Sequence, residues 1–129
     1  AAPDAEDPGR RSKEKALEKS RQILKYIEQH YQEPLSIKKL AEAVGFSQSH
    51  FMKFFKNTFG TSFTAYLNDY RLTMASRLLP ASEDSILTVA AESGFENLSY
   101  FNRRFKERFG VTPREFRRQA SSLPGSHPR

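Results

Sequence analysis

Eight side chains fall into two matching sets, Ser49, Met52, Lys53 and Lys56, then Ser99, Asn102, Arg103 and Lys106, each spaced i, i+3, i+4, i+7. That spacing places each set on one face of a helix. The chemistry open to such faces is hydrogen bonding to the edges of nucleobases. The guanidinium of Arg103 matches the O6 and N7 acceptors of guanine, and the amide of Asn102 matches N6 and N7 of adenine. Lys53 fits guanine as a point donor, and Met52 fits a thymine methyl group. Lys56 and Lys106 close the two faces as phosphate candidates. Between Leu98 and Arg118 seven Lys or Arg stand against two Glu, and the surplus, Arg104, Arg108, Arg114, Arg117 and Arg118, suits phosphates better than bases. The competing use of Arg103 is a surface ion pair with Glu107 at i+4.

Other chemistries lack their residues. The chain has no Gly-rich phosphate loop, no GxSxG, no paired carboxylates in a plausible cleft and no Cys or His nucleophile and base combination, so no enzyme is expected. It has no Cys, and its three His, at 30, 50 and 127, are scattered, so neither a metal nor a cofactor is expected. In 129 residues Lys and Arg number 21 against 15 Asp and Glu, a net +6 that favours a polyanionic partner. A basic helical module binding an acidic protein would share that electrostatics and is the alternative reading. A membrane-surface helix would set bulky apolar residues beside its basic stripe, and Ser99, Asn102 and Arg103 supply none. No apolar run approaches the ~20 residues of a spanning helix, and nothing resembles a signal segment. A cytoplasmic protein without membrane contact is expected. The first residue is Ala, so a piece of a longer protein is expected as well.

The framework that positions the two faces is itself duplicated. Ser36-Ile37-x3-Ala41-x3-Gly45-Phe46 is echoed by Ser85-Ile86-x3-Ala90-x3-Gly94-Phe95. The echo continues as Ser49-x-Phe51-x3-Phe55-Lys56-x2-Phe59-Gly60 against Ser99-x-Phe101-x3-Phe105-Lys106-x2-Phe109-Gly110, with one extra residue in the second turn. In a helix-turn-helix the closest approach needs a small residue, and the turn needs one that tolerates positive φ. Ala41 with Gly45, and Ala90 with Gly94, meet both demands. Phe46 and Phe95 are expected inside the turns, and Phe51, Phe55 and Thr58, like Phe101 and Phe105, on the inner side of each second helix.

Helix signals divide the rest. Residues 1–15 mix Pro, Gly and charge and read as a flexible linker with little fixed structure. From Ala16 the residues Leu17, Leu24, Ile27 and Tyr31, with Ile23 beside them, recur at helical spacing until Glu33-Pro34. Ser36 and Ser85 are expected N-caps of short helices, Ser47 caps a helix to Thr58, and Asn97 to Arg108 is its counterpart. Thr61 or Ser62 starts a helix to Leu79 that carries more apolar surface than one stripe needs and is ended by Pro80. Thr112-Pro113-Arg114-Glu115 is a capping box opening a last helix to about Gln119. The expected fold is all-α, two helix-turn-helix subdomains joined by a long linker helix, with about seven helices. The division is linker 1–15, first subdomain 16–60, linker helix 61–80, second subdomain 81–120 and tail 121–129.

The run Gly94-Phe95-Glu96-Asn97-Leu98-Ser99-Tyr100-Phe101-Asn102-Arg103-Arg104-Phe105-Lys106, with Phe109-Gly110-Val111-Thr112-Pro113-Arg114-Glu115-Phe116-Arg117, resembles the signature of the AraC/XylS family of bacterial transcription regulators. The likeness extends through Tyr66-Leu67-x3-Arg71-Leu72-x2-Ala75-x2-Leu78-Leu79 to the first helix-turn-helix and covers about Ser20 to Gln119. It implies a DNA-binding region that lays two recognition helices into successive major-groove segments of double-stranded DNA. It implies base-facing positions at Gln48, Ser49, Met52, Lys53, Leu98, Ser99, Asn102 and Arg103, and Ser36 and Ser85 near phosphates. By helical arithmetic alone Leu98 faces the core. The resemblance also implies an N-terminal sensor or dimerisation domain and RNA polymerase as partners. Ser49 and Met52 stand where a strong base reader would prefer a larger donor, so the first face is expected to read less sharply than the second.

Overall fold

The computed structural model describes residues 8–122. Among these residues seven α-helices follow one another and no strand occurs: α1 (Pro8–His30), α2 (Ile37–Val44), α3 (Gln48–Phe59), α4 (Phe63–Ala81), α5 (Ile86–Glu92), α6 (Leu98–Phe109) and α7 (Pro113–Ser122). The chain forms two compact units, one holding α1 with Leu35–Phe63, the other Tyr31–Pro34 with the chain from Thr64 onward. Each unit contains one helix-turn-helix.

In the first unit α1 buries Ser20, Ile23 and Ile27, so of the expected row Ile27 is buried with Ile23 beside it, whereas Leu17 is 52% exposed and Leu24 half-buried. Residues 8–15, expected to have little fixed structure, form the first turns of this helix. Proline suits the first helical position, Arg, Lys and Glu are strong helix formers, and Arg10 pairs with Glu14 at 3.3 Å one turn away. A solvated helix and a linker share that composition. Residues 1–7 lie outside the described residues.

Ser36 caps α2 by accepting from the Lys39 N–H at 3.3 Å, and Gly45 ends it at φ +78°. Ser47 then caps α3 by accepting from the His50 N–H at 3.1 Å. Leu40, Ala41, Val44, Phe51 and Phe55 form the interior, and Phe63 packs edge-on against Phe51 and Phe55 with centroids 5.5 and 5.6 Å away. Thr58, expected inward, is exposed. Phe59 takes that side instead, 4.4 Å from Phe55, because the inner row advances by four residues per step.

The second unit repeats the plan around Leu72, Ala75, Leu79, Val89, Ala90, Phe95, Phe101 and Phe105. Ser85 caps α5, and Asn97 stands outside α6 as its N-cap, accepting from the Tyr100 N–H at 2.8 Å. The capping box is present: Glu115 N–H donates to Thr112 Oγ1 and Thr112 N–H to Glu115 Oε1, both at 3.1 Å. The Thr112 backbone N–H, followed by its hydroxyl, holds the Glu115 carboxyl below its ordinary value. Pro80 sits in the last turn of α4, which stops at Ala81. Ser121 and Ser122, expected in the tail, belong to α7. Residues 123–129 of that expected tail lie outside the described residues.

The segment Tyr31–Pro34 is fastened within this unit. Arg71 Nε donates to the Tyr31 carbonyl and Arg71 Nη2 to the Glu33 carbonyl, each at 2.8 Å, and Gln32 donates to the Glu92 carbonyl at 2.9 Å. Burial lowers the Arg71 pKa, and the charge of Glu96 opposes that shift. Gly94, at φ +98°, lies under this fastening, where an added Cβ would meet the Tyr31 carbonyl and the Arg71 guanidinium. Gly60 and Gly110 have nothing within 4 Å of such a Cβ, although their φ values are +76° and +80°. Alanine at Gly60 or Gly110 is therefore expected to cost about 1–2 kcal/mol for the left-handed conformation alone. Gly94→Ala should cost distinctly more, read as urea-unfolding free energies of the three variants. Equal losses at all three glycines would contradict the close approach.

Candidate nucleic-acid interface

On α3 two buried phenylalanines one turn apart decide what faces outward. With Phe51 and Phe55 fully buried, Gln48, Ser49, Met52, Lys53 and Lys56 are all exposed, Met52 by 54%. Ser47 satisfies an N–H of the first turn, so the start of α3 is held as helix where it presents Gln48 and Ser49. Phe46 enters the turn less deeply than its counterpart Phe95. It is half-buried, stacks on His50 at 4.0 Å and meets Phe54 edge-on at 5.2 Å.

On α6 the burial of Phe101 and Phe105 brings Ser99, Asn102, Arg103 and Lys106 to one side. Ser99 and Lys106 are exposed, and the Arg103 side chain is 66% exposed. Asn102 is half-buried at the edge of an apolar cleft lined by Ile86, Leu98, Thr112, Pro113 and Arg114. Leu98 packs against the second core, the side that helical arithmetic assigned to it.

Arg103 meets the anticipated competitor, with its Nε 3.9 Å from Glu107 Oε1. An exposed pair of that length contributes about 0–1 kcal/mol, so the guanidinium can leave it. Beneath the guanidinium lies the Tyr100 ring, its centroid 5.4 Å away. The Tyr100 hydroxyl accepts from Asn68 Nδ2 at 3.1 Å, and its ring lies 6.3 Å from that of Phe95. Tyr100 is a fixed platform for Arg103. Its sequence signal is an aromatic three residues before the arginine, one turn back on the same helix.

The phosphate candidates separate. Lys56, Lys106, Arg114 and Arg118 are exposed, and Ser36 and Ser85 are exposed caps at the starts of α2 and α5. Arg104 is half-buried and donates to Glu107 at 3.1 Å. Arg117, expected on a phosphate, donates through Nε to the Leu79 carbonyl at 2.8 Å, filling an acceptor at the end of α4. Arg108, expected likewise, reaches Thr73 Oγ1 at 3.4 Å and lies over Phe109. These two contacts tie α6 and α7 to α4. Among the described residues no group of three or more His, Asp or Glu is placed to hold a metal ion, and no helix is long and apolar enough to cross a membrane.

A helix-turn-helix domain family matches residues 40–119, from within α2 into α7. An HTH-type transcriptional regulator of Staphylococcus aureus is 36% identical over 100 residues, covering 78% of this chain and 13% of its own length. The regulatory protein PocR of Salmonella typhimurium is 36% identical over 110 residues, 85% of this chain and 36% of PocR. The chain thus spans well under half the length of these relatives. A solved transcriptional regulator from Chromobacterium violaceum, described as having an AraC-type DNA-binding domain, superposes with a TM-score of 0.77 at 31% identity, over 84% of this chain and 96% of that one. The motifs that suggested the family are the ones that build its paired helices here, and the chain belongs to the AraC/XylS family of transcription regulators as a DNA-binding helix-turn-helix domain.

Proposed function

We propose that the domain reads its operator through both units, α3 addressing one major-groove segment of a duplex and α6 the next. The observation that supports this most is the outward polar face produced twice by the same inward phenylalanine pair. Gln48, Ser49, Met52 and Lys53 are the base-facing set of α3, and Ser99, Asn102 and Arg103 that of α6. Ser36, Lys56, Ser85, Lys106 and Arg114 contact phosphates, with Arg104 a weaker contributor because Glu107 already engages it. The reading is non-enzymatic regulation of transcription in the cytoplasm. A companion sensing or dimerisation domain and RNA polymerase complete it, in keeping with the greater length of the relatives. Family membership favours duplex DNA over an acidic protein as the partner of the basic faces.

Selection of bound duplexes from a random pool tests this directly. The expected site has two parts within about 20 base pairs, centred about 34 Å apart as one helical turn requires, with stronger base preference in the half bound by α6. Inserting five base pairs between the halves should abolish tight binding by turning one groove away. Unchanged affinity after the insertion would refute reading by both units.

Single substitutions separate reading from attraction. Arg103→Ala and Asn102→Ala should each cost about 1–3 kcal/mol on the selected site and relax base preference locally, measured by titration against a panel of single-base variants. Arg117→Ala, which removes a bond to the Leu79 carbonyl, should lower the unfolding midpoint and leave the salt dependence of binding unchanged. A shallower salt slope for the Arg117 variant would restore that side chain to the phosphate contacts.

A further inference from the structure

Helix α1 carries a row of cations at i, i+4 and i+8, namely Arg11, Lys15 and Lys19. Lys19 Nζ stands 5.9 Å from the centroid of the Phe46 ring and 4.0 Å from where a Cβ on Gly45 would lie. Gly45 ends α2 and Phe46 precedes the Ser47 cap of α3, so this ammonium stands at the entry to the first recognition helix. It lies over Phe46, whose ring meets that of His50 at 4.0 Å, and His50 stands one turn before Lys53 on α3.

Nearby acids are engaged elsewhere. Glu14 pairs with Arg10 at 3.3 Å and Glu18 accepts from Gln22 at 3.4 Å, and among the described residues no carboxylate pairs with Lys15 or Lys19. Like charges one turn apart weaken a helix, so Lys15 and Lys19, kept without a paired carboxylate close to a recognition helix, suit an anionic partner. The flank of a helix seated in a major groove faces the sugar–phosphate wall of that groove.

Building on the DNA reading above, we infer that Lys15 and Lys19 of α1 form a phosphate-gripping surface for the duplex entered by α3, with Arg11 continuing the row outward. The surface supplies attraction without sequence information. It gives the first unit, whose base-facing donors are few, a second hold on the same stretch of duplex.

The test is the salt dependence of affinity for the selected duplex, compared between the parent and a Lys15→Gln, Lys19→Gln double variant. Glutamine keeps the side-chain stem and the helical preference while removing the charge. The slope of log K against log salt should become shallower by about one unit per lysine, with the base-preference profile unchanged. Lys19→Arg, which keeps the charge, should retain the parental slope. An unchanged slope in the double variant, while the parent binds normally, overturns this inference alone. An altered base profile overturns it too, by making the lysines readers. A parent that binds no duplex at all overturns the DNA reading and this inference with it.

Discussion

Burial of Phe51 with Phe55, and of Phe101 with Phe105, fixes how α3 and α6 are rotated about their axes, and the rest of the domain depends on that rotation. All four rings are fully buried, and within each pair the centroids lie about one helical turn apart, at 6.0 and 5.7 Å. Truncating such a ring costs about 3–5 kcal/mol, far more than any exposed polar contact on the opposite face can recover. Side chains at i, i+3, i+4 and i+7 on that opposite face are therefore held outward by packing, whatever they are. Their chemistry is free to vary, which lets the same core pattern, built separately in each unit, accompany Met52 and Lys53 in one and Asn102 and Arg103 in the other.

The two copies use this freedom unequally. In the second, Phe95 fills the turn, Gly94 lets the Tyr31–Pro34 segment and Arg71 press close, and Tyr100 holds a platform under Arg103. In the first, Phe46 is half-buried, Gly45 has open space apart from the tip of Lys19, and among the described residues no aromatic ring lies under Lys53 as Tyr100 lies under Arg103. The better-supported face also bears the two side chains able to make paired bonds to a base. The sharper reading proposed for that half rests on rigidity as well as on donor count, since a group already held in place loses less entropy on binding.

Much of this was legible in the chain because its causes are local. Ser36, Ser47, Ser85 and the Thr112–Glu115 box act within three residues of themselves, and the phenylalanine spacing repeats within one helix. What escaped depends on partners distant in sequence. Arg117 reads as a cation on a terminal helix until its acceptor, Leu79, is known to lie 38 residues earlier. Arg108 with Thr73, and Arg71 with Tyr31, are separated by 35 and 40 residues. Residues 8–15 are ambiguous for another reason, since Arg, Lys and Glu serve a solvated helix and a linker equally well. Thr58 lies one residue off the inner row, which continues from Phe55 to Phe59.

The central claim is that the outward faces of α3 and α6 are the surfaces that meet DNA. Its most direct measurement is a backbone amide chemical-shift titration of the 15N-labelled domain with a selected duplex. The account predicts that the largest shifts cluster at Ser49, Met52 and Lys53 and at Ser99, Asn102 and Arg103, while Arg108 and the end of α4 stay nearly unchanged. Large shifts confined to α4 and α7, with both recognition faces unmoved, would contradict it.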